Sequence, residues 1–125
     1  LGISVRQAYS SLKKGECLFI LGDQDARDRG WKINFFGLPA STYPGAVHFA
    51  QKTGAAIIPT FLIRKKWGKH KLKFFSPIRV PADASFAEKK KKLQQLSQKV
   101  EKVIRNHKNQ WFWLHKRWKT YDLPK

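Results

Sequence analysis

The 125-residue sequence contains no methionine, a single cysteine and only eight acidic side chains. Because Cys17 stands alone, an internal disulfide is excluded, as is typical of proteins from a reducing compartment. Cys17 lies in the apolar run of residues 17–21, which predicts a small buried core side chain. A chain that starts at Leu1 and has no methionine leads us to expect a piece of a longer protein.

Long apolar runs are also missing, since no segment approaches the roughly 20 apolar residues that a membrane span needs. A signal or anchor sequence is therefore expected only upstream of this chain. Hydrophobic residues still make up 42% of the sequence, which predicts a folded domain and not a disordered chain. We find no internal repeat and no low-complexity linker, and we expect one domain over residues 1–125.

The shortage of acidic residues leaves a large positive charge. The 26 Lys and Arg residues against eight Asp and Glu give a net charge of +18. Such a surface favours anionic partners, which include nucleic acid, an anionic membrane or lipid, and an acidic protein. Composition alone favours nucleic acid. Five Trp and nine Phe residues shift the balance towards a membrane interface, where aromatic and basic side chains occur together.

Hydrophobic periodicity predicts helices and strands in alternation. A helix over residues 5–12 ends at Gly15, and a helix over 45–52 ends at Gly54. The apolar runs 17–21 and 55–63 predict two buried strands, although Pro59 places the second at an edge or a bulge. The intervening segment 22–45 is long, polar and rich in glycine, which is typical of a functional or disordered connection.

A strand, a crossover helix and a second strand predict a right-handed parallel unit. Alternation over residues 70–80 predicts a half-exposed strand. Residues 86–105 predict an amphipathic helix, with a capping box at Ser85 and Glu88. Residues 110–119 predict a second short helix. The expected fold class is therefore α/β, with a partial parallel or mixed sheet and flanking helices.

The acidic pair Asp23 and Asp25, with Gln24 between them, directly follows the first predicted strand. Ligands bind at the carboxyl ends of strands in parallel α/β sheets. Two such carboxylates could bind a metal, orient a base, or hold the neighbouring Arg27 and Arg29. A structural turn and a metal-bound sugar nucleotide, as in glycosyltransferases with an Asp-x-Asp motif, are the other interpretations.

Three blocks in a fixed order resemble the bacterial lipid A biosynthesis acyltransferases. The first joins Gly22-Asp23-Gln24-Asp25 to the segment Phe35-Phe36-Gly37-Leu38-Pro39-Ala40-Ser41-Thr42-Tyr43-Pro44-Gly45. The second is Thr53-Gly54-Ala55-Ala56-Ile57-Ile58-Pro59 with the later Arg64. The third is Asn109-Gln110-Trp111-Phe112-Trp113-Leu114-His115-Lys116-Arg117-Trp118-Lys119. The chain departs from the family pattern at Lys108-Asn109, where the family usually has Pro-Glu.

The resemblance implies a reaction that starts with a histidine and an acid separated by four residues. Such a dyad removes a proton from an acceptor hydroxyl, which then attacks an acyl thioester on acyl carrier protein. Five positions after the four histidines come Thr53, Phe75, Phe112 and Thr120, none of them acidic. A serine nucleophile elbow, a Cys/His metal motif and a phosphate-binding glycine loop are also absent from the sequence. We therefore assign no catalytic residue, metal or cofactor to this chain.

The resemblance also implies that residues 1–125 are the C-terminal portion of a single acyltransferase domain, with a glycerolipid acyltransferase-like fold and an upstream dyad. The implied partners are acyl carrier protein, a phosphorylated glucosamine lipid acceptor and the anionic cytoplasmic face of the bacterial inner membrane, and not nucleic acid. The substrate-binding residues carried over are Asp23, Gln24, Asp25, Phe36, Gly37, Thr42 and Arg64.

The third block is also expected to contact lipid. Its aromatic residues can anchor at a membrane interface while its basic residues bind lipid phosphates. Packing of the face of Trp111, Leu114 and Trp118 onto the sheet is the other interpretation. The predicted lipid contacts are Trp111, Lys116, Arg117, Trp118 and Lys119. Two other functions remain open, a basic nucleic-acid-binding module and a membrane-surface domain without catalysis. Most aromatic residues lie in apolar runs or a helical stripe, which argues against base stacking.

Overall fold

The computed structural model describes residues 4–121, which form a mixed α/β structure. Its elements are three helices and two antiparallel two-stranded sheets. None of the helices in this part of the chain is both long and apolar enough to cross a membrane. In chain order the elements are α1 (Val5–Lys13), β1 (Trp31–Phe35), β2 (Leu38–Thr42), α2 (Gly45–Thr53), β3 (Thr60–Lys66), β4 (Lys69–Phe74) and α3 (Phe86–Asn106).

The helices lie where periodicity and capping residues predict them. In α1 the Ser4 hydroxyl accepts from the Gln7 amide at 3.2 Å, while the Gln7 side chain accepts from the Ser4 amide at 2.9 Å. Gly54 closes α2 with a φ of +74°, a left-handed conformation that glycine adopts without a steric penalty. The predicted capping box of α3, between Ser85 and Glu88, is also confirmed.

The segment 22–45 is not an irregular connection, because it contains the tight hairpin β1–β2. Phe35 pairs with Leu38, and both intervening residues have positive φ, +55° for Phe36 and +85° for Gly37. Positive φ at both central positions is the pattern of a type I′ turn, which matches the twist of a two-stranded ribbon. The Gly37 amide also donates to the Asn34 side chain at 2.9 Å.

The predicted parallel unit is wrong, since both sheets are antiparallel. Residues 17–21 form no strand, and Cys17 is exposed, not buried. Residues 17–25 form no backbone–backbone hydrogen bond with any other part of the chain that the structure describes. An apolar run predicts burial, but a strand is buried only where neighbouring strands and helices cover it. Phe19 and Leu21 are instead 89% and 95% exposed.

The second predicted strand is also shifted and differently paired. β3 begins at Thr60 and not at Ala55, and it pairs with β4 through a turn at Trp67 and Gly68. Residues 55–59 contribute only an isolated bridge, between Ile57 and Ile78. Of the half-exposed strand predicted for residues 70–80, a strand is confirmed only as far as Phe74, and the expected burial is wrong because the apolar Leu72 and Phe74 are 52% and 62% exposed.

The core lies between the β1–β2 hairpin and α3 and consists of two buried clusters. The first cluster contains residues of the hairpin, α3 and α2. The second contains residues of the hairpin and α3, and the chain after α3 packs against it. Full burial of a large apolar side chain stabilises the fold by about 1.5–3 kcal/mol. The buried members are Ile33, Val47, Ala50, Val80, Ala84 and Leu93 in the first cluster and Phe35, Ala40 and Ile104 in the second.

The chain after α3 is not the short helix that the sequence predicts. It begins with a single 3₁₀ turn, Lys108–Gln110, and continues as irregular turns to Tyr121. Trp111 and Trp118 nevertheless pack against Phe35, with ring centroids 6.1 and 5.6 Å apart. Leu114, expected on the same face, is 84% exposed. The irregular backbone therefore brings the two tryptophans to the core without placing the three side chains on one face.

Candidate functional site

Residues from two of the three sequence blocks meet at one end of the β1–β2 hairpin. β2 supplies Ser41 and Thr42, the loop before β1 supplies Asp25, and the chain after α3 supplies Arg117 and His115. We call these five residues and Thr120 the polar network. It is a tertiary site, because its hydrogen bonds connect residues that are far apart in the sequence.

Arg117 is the buried centre of the polar network, with only 2% of its surface exposed. Its guanidinium donates to the Ser41 carbonyl at 2.5 Å and to the Thr42 hydroxyl at 2.6 Å. The guanidinium carbon also lies 5.1 Å from the centre of the Phe35 ring, a cation–π contact. A charge buried this deeply is tolerated only when such partners compensate for lost water.

Burial lowers the pKa of Arg117, and the negative charges of Asp25 and Asp23 oppose that change. The guanidinium of an arginine stays charged in proteins, so the polar network contains a permanent buried cation. The two aspartates supply negative charge nearby, although Arg117 makes no direct ion pair within the described residues.

Asp25 holds the loop against the chain after α3. One carboxylate oxygen accepts from the Arg27 amide at 2.9 Å and from the Thr120 hydroxyl at 2.6 Å. The Asp25 amide itself donates to Nε2 of His115 at 2.9 Å. Nε2 therefore acts as a hydrogen-bond acceptor in this contact.

Two opposing effects set the ionisation of Asp25. Burial alone would raise the pKa of its carboxyl, but hydrogen bonds from Thr120 and Arg27 lower it, and so does the charge of Arg117. The net pKa lies below the ordinary value of 3.8. The second oxygen, Oδ2, is buried and has no hydrogen-bond partner among the described residues. Asp25 is therefore an ionised carboxylate, and one of its oxygens receives no hydrogen bond from the described residues.

The structure brings only some of the predicted substrate-binding residues together. Asp25 and Thr42 are members of the polar network, whereas Asp23 and Gln24 are exposed in the preceding loop. Phe36 and Gly37 form the hairpin turn, where the Phe36 ring lies under the guanidinium of Arg105 at 4.8 Å. The last of the predicted substrate-binding residues, Arg64, lies in β3 and so in the other sheet. Its backbone exchanges two hydrogen bonds with the Gln110 side chain, at 2.9 and 3.0 Å.

The predicted lipid contacts divide into two groups. Lys116 and Lys119 are exposed, while Arg117 is internal to the polar network. Trp111 and Trp118 are half-buried, and the Trp118 indole donates to the Phe35 carbonyl at 3.2 Å. The tryptophans thus pack onto the hairpin, and only the two lysines present charge to solvent.

Sequence reasoning missed three members of the polar network, Ser41, His115 and Thr120. Ser41 and His115 lie inside the quoted blocks, so the resemblance marks their positions but assigns them no role. Thr120 follows the third block directly. No spacing pattern shows that Thr120 would meet Asp25, since that contact depends on the path of the chain after α3.

The arrangement is suited to binding and positioning more than to bond making. His115 accepts from a backbone amide, and no side-chain nucleophile lies between it and Asp25. No group of three or more His, Cys, Asp or Glu side chains suitable for a metal occurs in residues 4–121. The hydrogen bonds of the polar network connect the loop after Gly22, the end of β2 and the chain after α3.

Comparison with known proteins gives a family match whose range includes all three sequence blocks. The family model described as bacterial lipid A biosynthesis acyltransferase matches residues 2–120. That range contains every member of the polar network. A comparison with curated proteins found no match. Because the family model covers nearly the whole sequence, the chain belongs to the bacterial lipid A biosynthesis acyltransferase family.

Proposed function

We propose that this protein transfers a fatty acyl chain from acyl carrier protein to a phosphorylated glucosamine lipid in lipid A biosynthesis. The observation that carries the proposal is the family match over residues 2–120. The polar network supports it, because the resemblance assigns Asp25 to the acceptor side of the cleft and Thr42 to the loop beneath it, and both residues lie beside Arg117.

In the proposed reaction a histidine paired with an acid removes the proton from an acceptor hydroxyl. The freed oxygen attacks the thioester carbonyl, an ester forms, and the carrier's thiol leaves with a proton. No histidine of this chain has an acid at the required spacing. We therefore place the dyad outside residues 1–125 and assign to this chain the C-terminal portion of the acyltransferase domain.

Charge supports both proposed partners. The net charge of +18 would attract an acidic carrier protein and a phosphorylated acceptor, and electrostatic complementarity raises association rates. Arg64 is exposed in β3, and its planar guanidinium suits a phosphate or a carboxylate. Lys116 and Lys119 are exposed and suit the headgroups of an anionic cytoplasmic membrane face. The half-buried Trp111 and Trp118 lie beside them.

An acyl-transfer assay tests the proposal. The protein would be produced from this coding sequence together with the adjoining upstream sequence, and incubated with acyl carrier protein thioester and a phosphorylated glucosamine lipid. Mass spectrometry should show the lipid gaining one acyl chain. Replacing Arg64 by Gln should weaken transfer, with Arg79→Gln, another exposed arginine, as the matched control. No acyl transfer by the extended protein would contradict the proposed function and favour a membrane-surface domain without catalysis.

A further inference from the structure

The β3–β4 hairpin combines exposed apolar side chains with a concentrated positive charge. Residues 60–74 contain no Asp or Glu. They contain six basic residues, Arg64, Lys65, Lys66, Lys69, Lys71 and Lys73. The β3–β4 hairpin therefore has the larger net positive charge of the two hairpins, because it contains no acidic side chain that would neutralise these cations.

The strand register sorts these side chains onto two faces. Directly paired residues of an antiparallel ladder lie on the same side of the sheet. On one face Phe61 pairs with Lys73, and Ile63, which is buried, pairs with Lys71. This face packs towards the protein.

The opposite face is open and apolar at its centre. Leu62 pairs with Leu72, and these side chains are 67% and 52% exposed. Phe74, paired with Thr60, extends the apolar surface and is 62% exposed. No described residue covers this group. Contiguous exposed apolar surface of this kind is typical of an interaction site.

The tip of the hairpin adds a tryptophan between lysines. Trp67 lies in the turn before Gly68 and is 96% exposed. Lys66 and Lys69 pair directly beside it at the end of the ladder. A tryptophan flanked by lysines at the tip of an apolar ribbon is the composition that a membrane interface selects. The lysines can bind lipid phosphates while the indole enters the headgroup region.

A shallow cleft beside the tip offers a place for an anionic headgroup. It lies between the end of β3 and the 3₁₀ turn that follows α3. Its lining carries three positive charges and a histidine, and no acidic side chain. The lining residues that matter here are Arg64, Lys65, Lys66 and His107.

We propose that the β3–β4 hairpin docks onto an anionic lipid bilayer, with Trp67 and the Leu62–Leu72 face in the interface and the basic residues on lipid phosphates. The proposal rests on the proposed membrane location and names a second element that makes the contact, in addition to the chain after α3. The phosphates of nucleic acid would neutralise the basic side chains but leave the apolar face exposed to water. A bilayer interface accepts both.

Vesicle flotation tests this proposal with the 125-residue chain. Vesicles of phosphatidylglycerol and phosphatidylcholine are compared with vesicles of phosphatidylcholine alone, and aggregated protein stays at the bottom of the gradient. Trp67→Ala should weaken binding to the anionic vesicles by about tenfold at all salt concentrations. The double variant Lys66→Gln/Lys69→Gln should weaken it by about tenfold at low salt and have little effect at high salt.

Matched controls remove the same residue types outside the hairpin. Trp113→Ala removes another exposed tryptophan, in the chain after α3, and Lys13→Gln/Lys14→Gln removes two exposed lysines at the end of α1. Both controls should retain at least half of the wild-type binding, and circular dichroism should show unchanged helix content in every variant.

Three results would overturn the docking proposal. They are equal binding to both vesicle types, loss of binding in the controls but not in the hairpin variants, and displacement by duplex DNA with no effect of Trp67→Ala. The last would favour nucleic acid as the partner. The readout is binding and not acyl transfer, so the two proposals fail separately. Normal vesicle binding without acyl transfer contradicts only the proposed function, and transfer without hairpin-dependent binding contradicts only the docking of this hairpin.

Discussion

At the residue scale, the polar network depends most on Arg117. A planar guanidinium can reach the Ser41 carbonyl and the Thr42 hydroxyl together, whereas a lysine offers a single ammonium group. The same side chain covers the Phe35 ring, so it contributes packing as well as charge. Because Arg117 is buried, we expect its replacement to lower the free energy of unfolding more than the replacement of any other residue of the polar network.

Replacing Arg117 by Ala should lower the free energy of unfolding by about 3 kcal/mol, because hydrogen bonds to a buried charged group are lost together with its packing. Urea denaturation followed by tryptophan fluorescence measures the change. The neighbouring Lys116→Ala is the control, since its side chain is exposed and its loss should cost less than about 0.5 kcal/mol. Equal effects of the two replacements would contradict a central role for Arg117.

His48 should make stability depend on pH. Its ring lies 5.2 Å from the Trp31 ring, and burial, together with the charges of Lys89 and Lys52, lowers its pKa below the ordinary value of 6.5. The folded state then binds fewer protons than the unfolded state, so stability rises with pH in this window. We expect stability to be lost as pH falls through 6.5 towards the lower folded pKa, and to change no further below it.

The measurement is the urea midpoint from pH 8 to pH 5, compared between the wild type and His48→Gln. The variant has no titrating group at this position, so the part of the pH dependence that His48 causes should disappear. A decline of the same size in both proteins would show that other groups cause it.

The residues of the site were predictable only in part. Asp25 and Thr42 could be selected from the resemblance, because they lie in a block whose residues and order are specific. Arg117 is predicted as a lipid contact, together with the neighbouring Lys116 and Lys119, because basic residues beside aromatic ones can bind lipid phosphates. Its burial depends on where the chain after α3 crosses the hairpin, and local sequence does not encode that path. No periodic pattern in the sequence indicates that Arg117 is buried while the lysines beside it are exposed.

At the element scale, the β1–β2 hairpin depends on its two-residue turn. Gly37 has a φ of +85°, and a Cβ added there would meet nothing within 4 Å. Replacing Gly37 by Ala should therefore cost about 1–2 kcal/mol of unfolding free energy, through backbone strain alone.

Gly22 provides a matched control for that replacement. It also has open space around the position of a Cβ, but it does not have a positive φ in the left-handed region. Gly22→Ala should change stability by less than about 0.5 kcal/mol. Thermal unfolding of the two variants measures the difference. A loss in Gly22→Ala as large as that in Gly37→Ala would contradict the strain explanation.

The helices α1, α2 and α3 were predictable from local sequence, whereas the helix expected over residues 110–119 does not form and the strand pairing was not predictable, for a physical reason. The boundaries of α1, α2 and α3 depend on periodicity and on capping residues within a few positions, as the Ser85–Glu88 box shows. Strand pairing depends on which segments meet. The Phe36-Gly37 turn was overlooked because a phenylalanine rarely adopts positive φ. Residues 17–21 were predicted as a strand from apolarity, which contains no information about a partner.

At the scale of the whole molecule, the chain by itself should not catalyse acyl transfer. None of its four histidines has an acid five positions later, and His115 is already used as an acceptor in the polar network. The purified chain with acyl carrier protein thioester and lipid acceptor should give only background product by mass spectrometry. Turnover that disappears on replacement of His48 or His115 would show that a catalytic base lies within it.

The segment between α1 and the polar network has one more consequence. Proteases bind their substrates as extended chains with free backbone groups, and residues 17–25 are mostly exposed and form no backbone–backbone hydrogen bond with other described residues. Brief chymotrypsin treatment should therefore cut first after Phe19 or Leu21, as peptide mass mapping would show. First cuts at Trp67, which is equally exposed but lies in a paired hairpin, would contradict this. A cut after Phe19 or Leu21 would break the chain between α1 and the rest of the protein. Among the described residues, α1 would then be held by side-chain packing such as the Tyr9–Phe49 contact, and it could dissociate as a peptide.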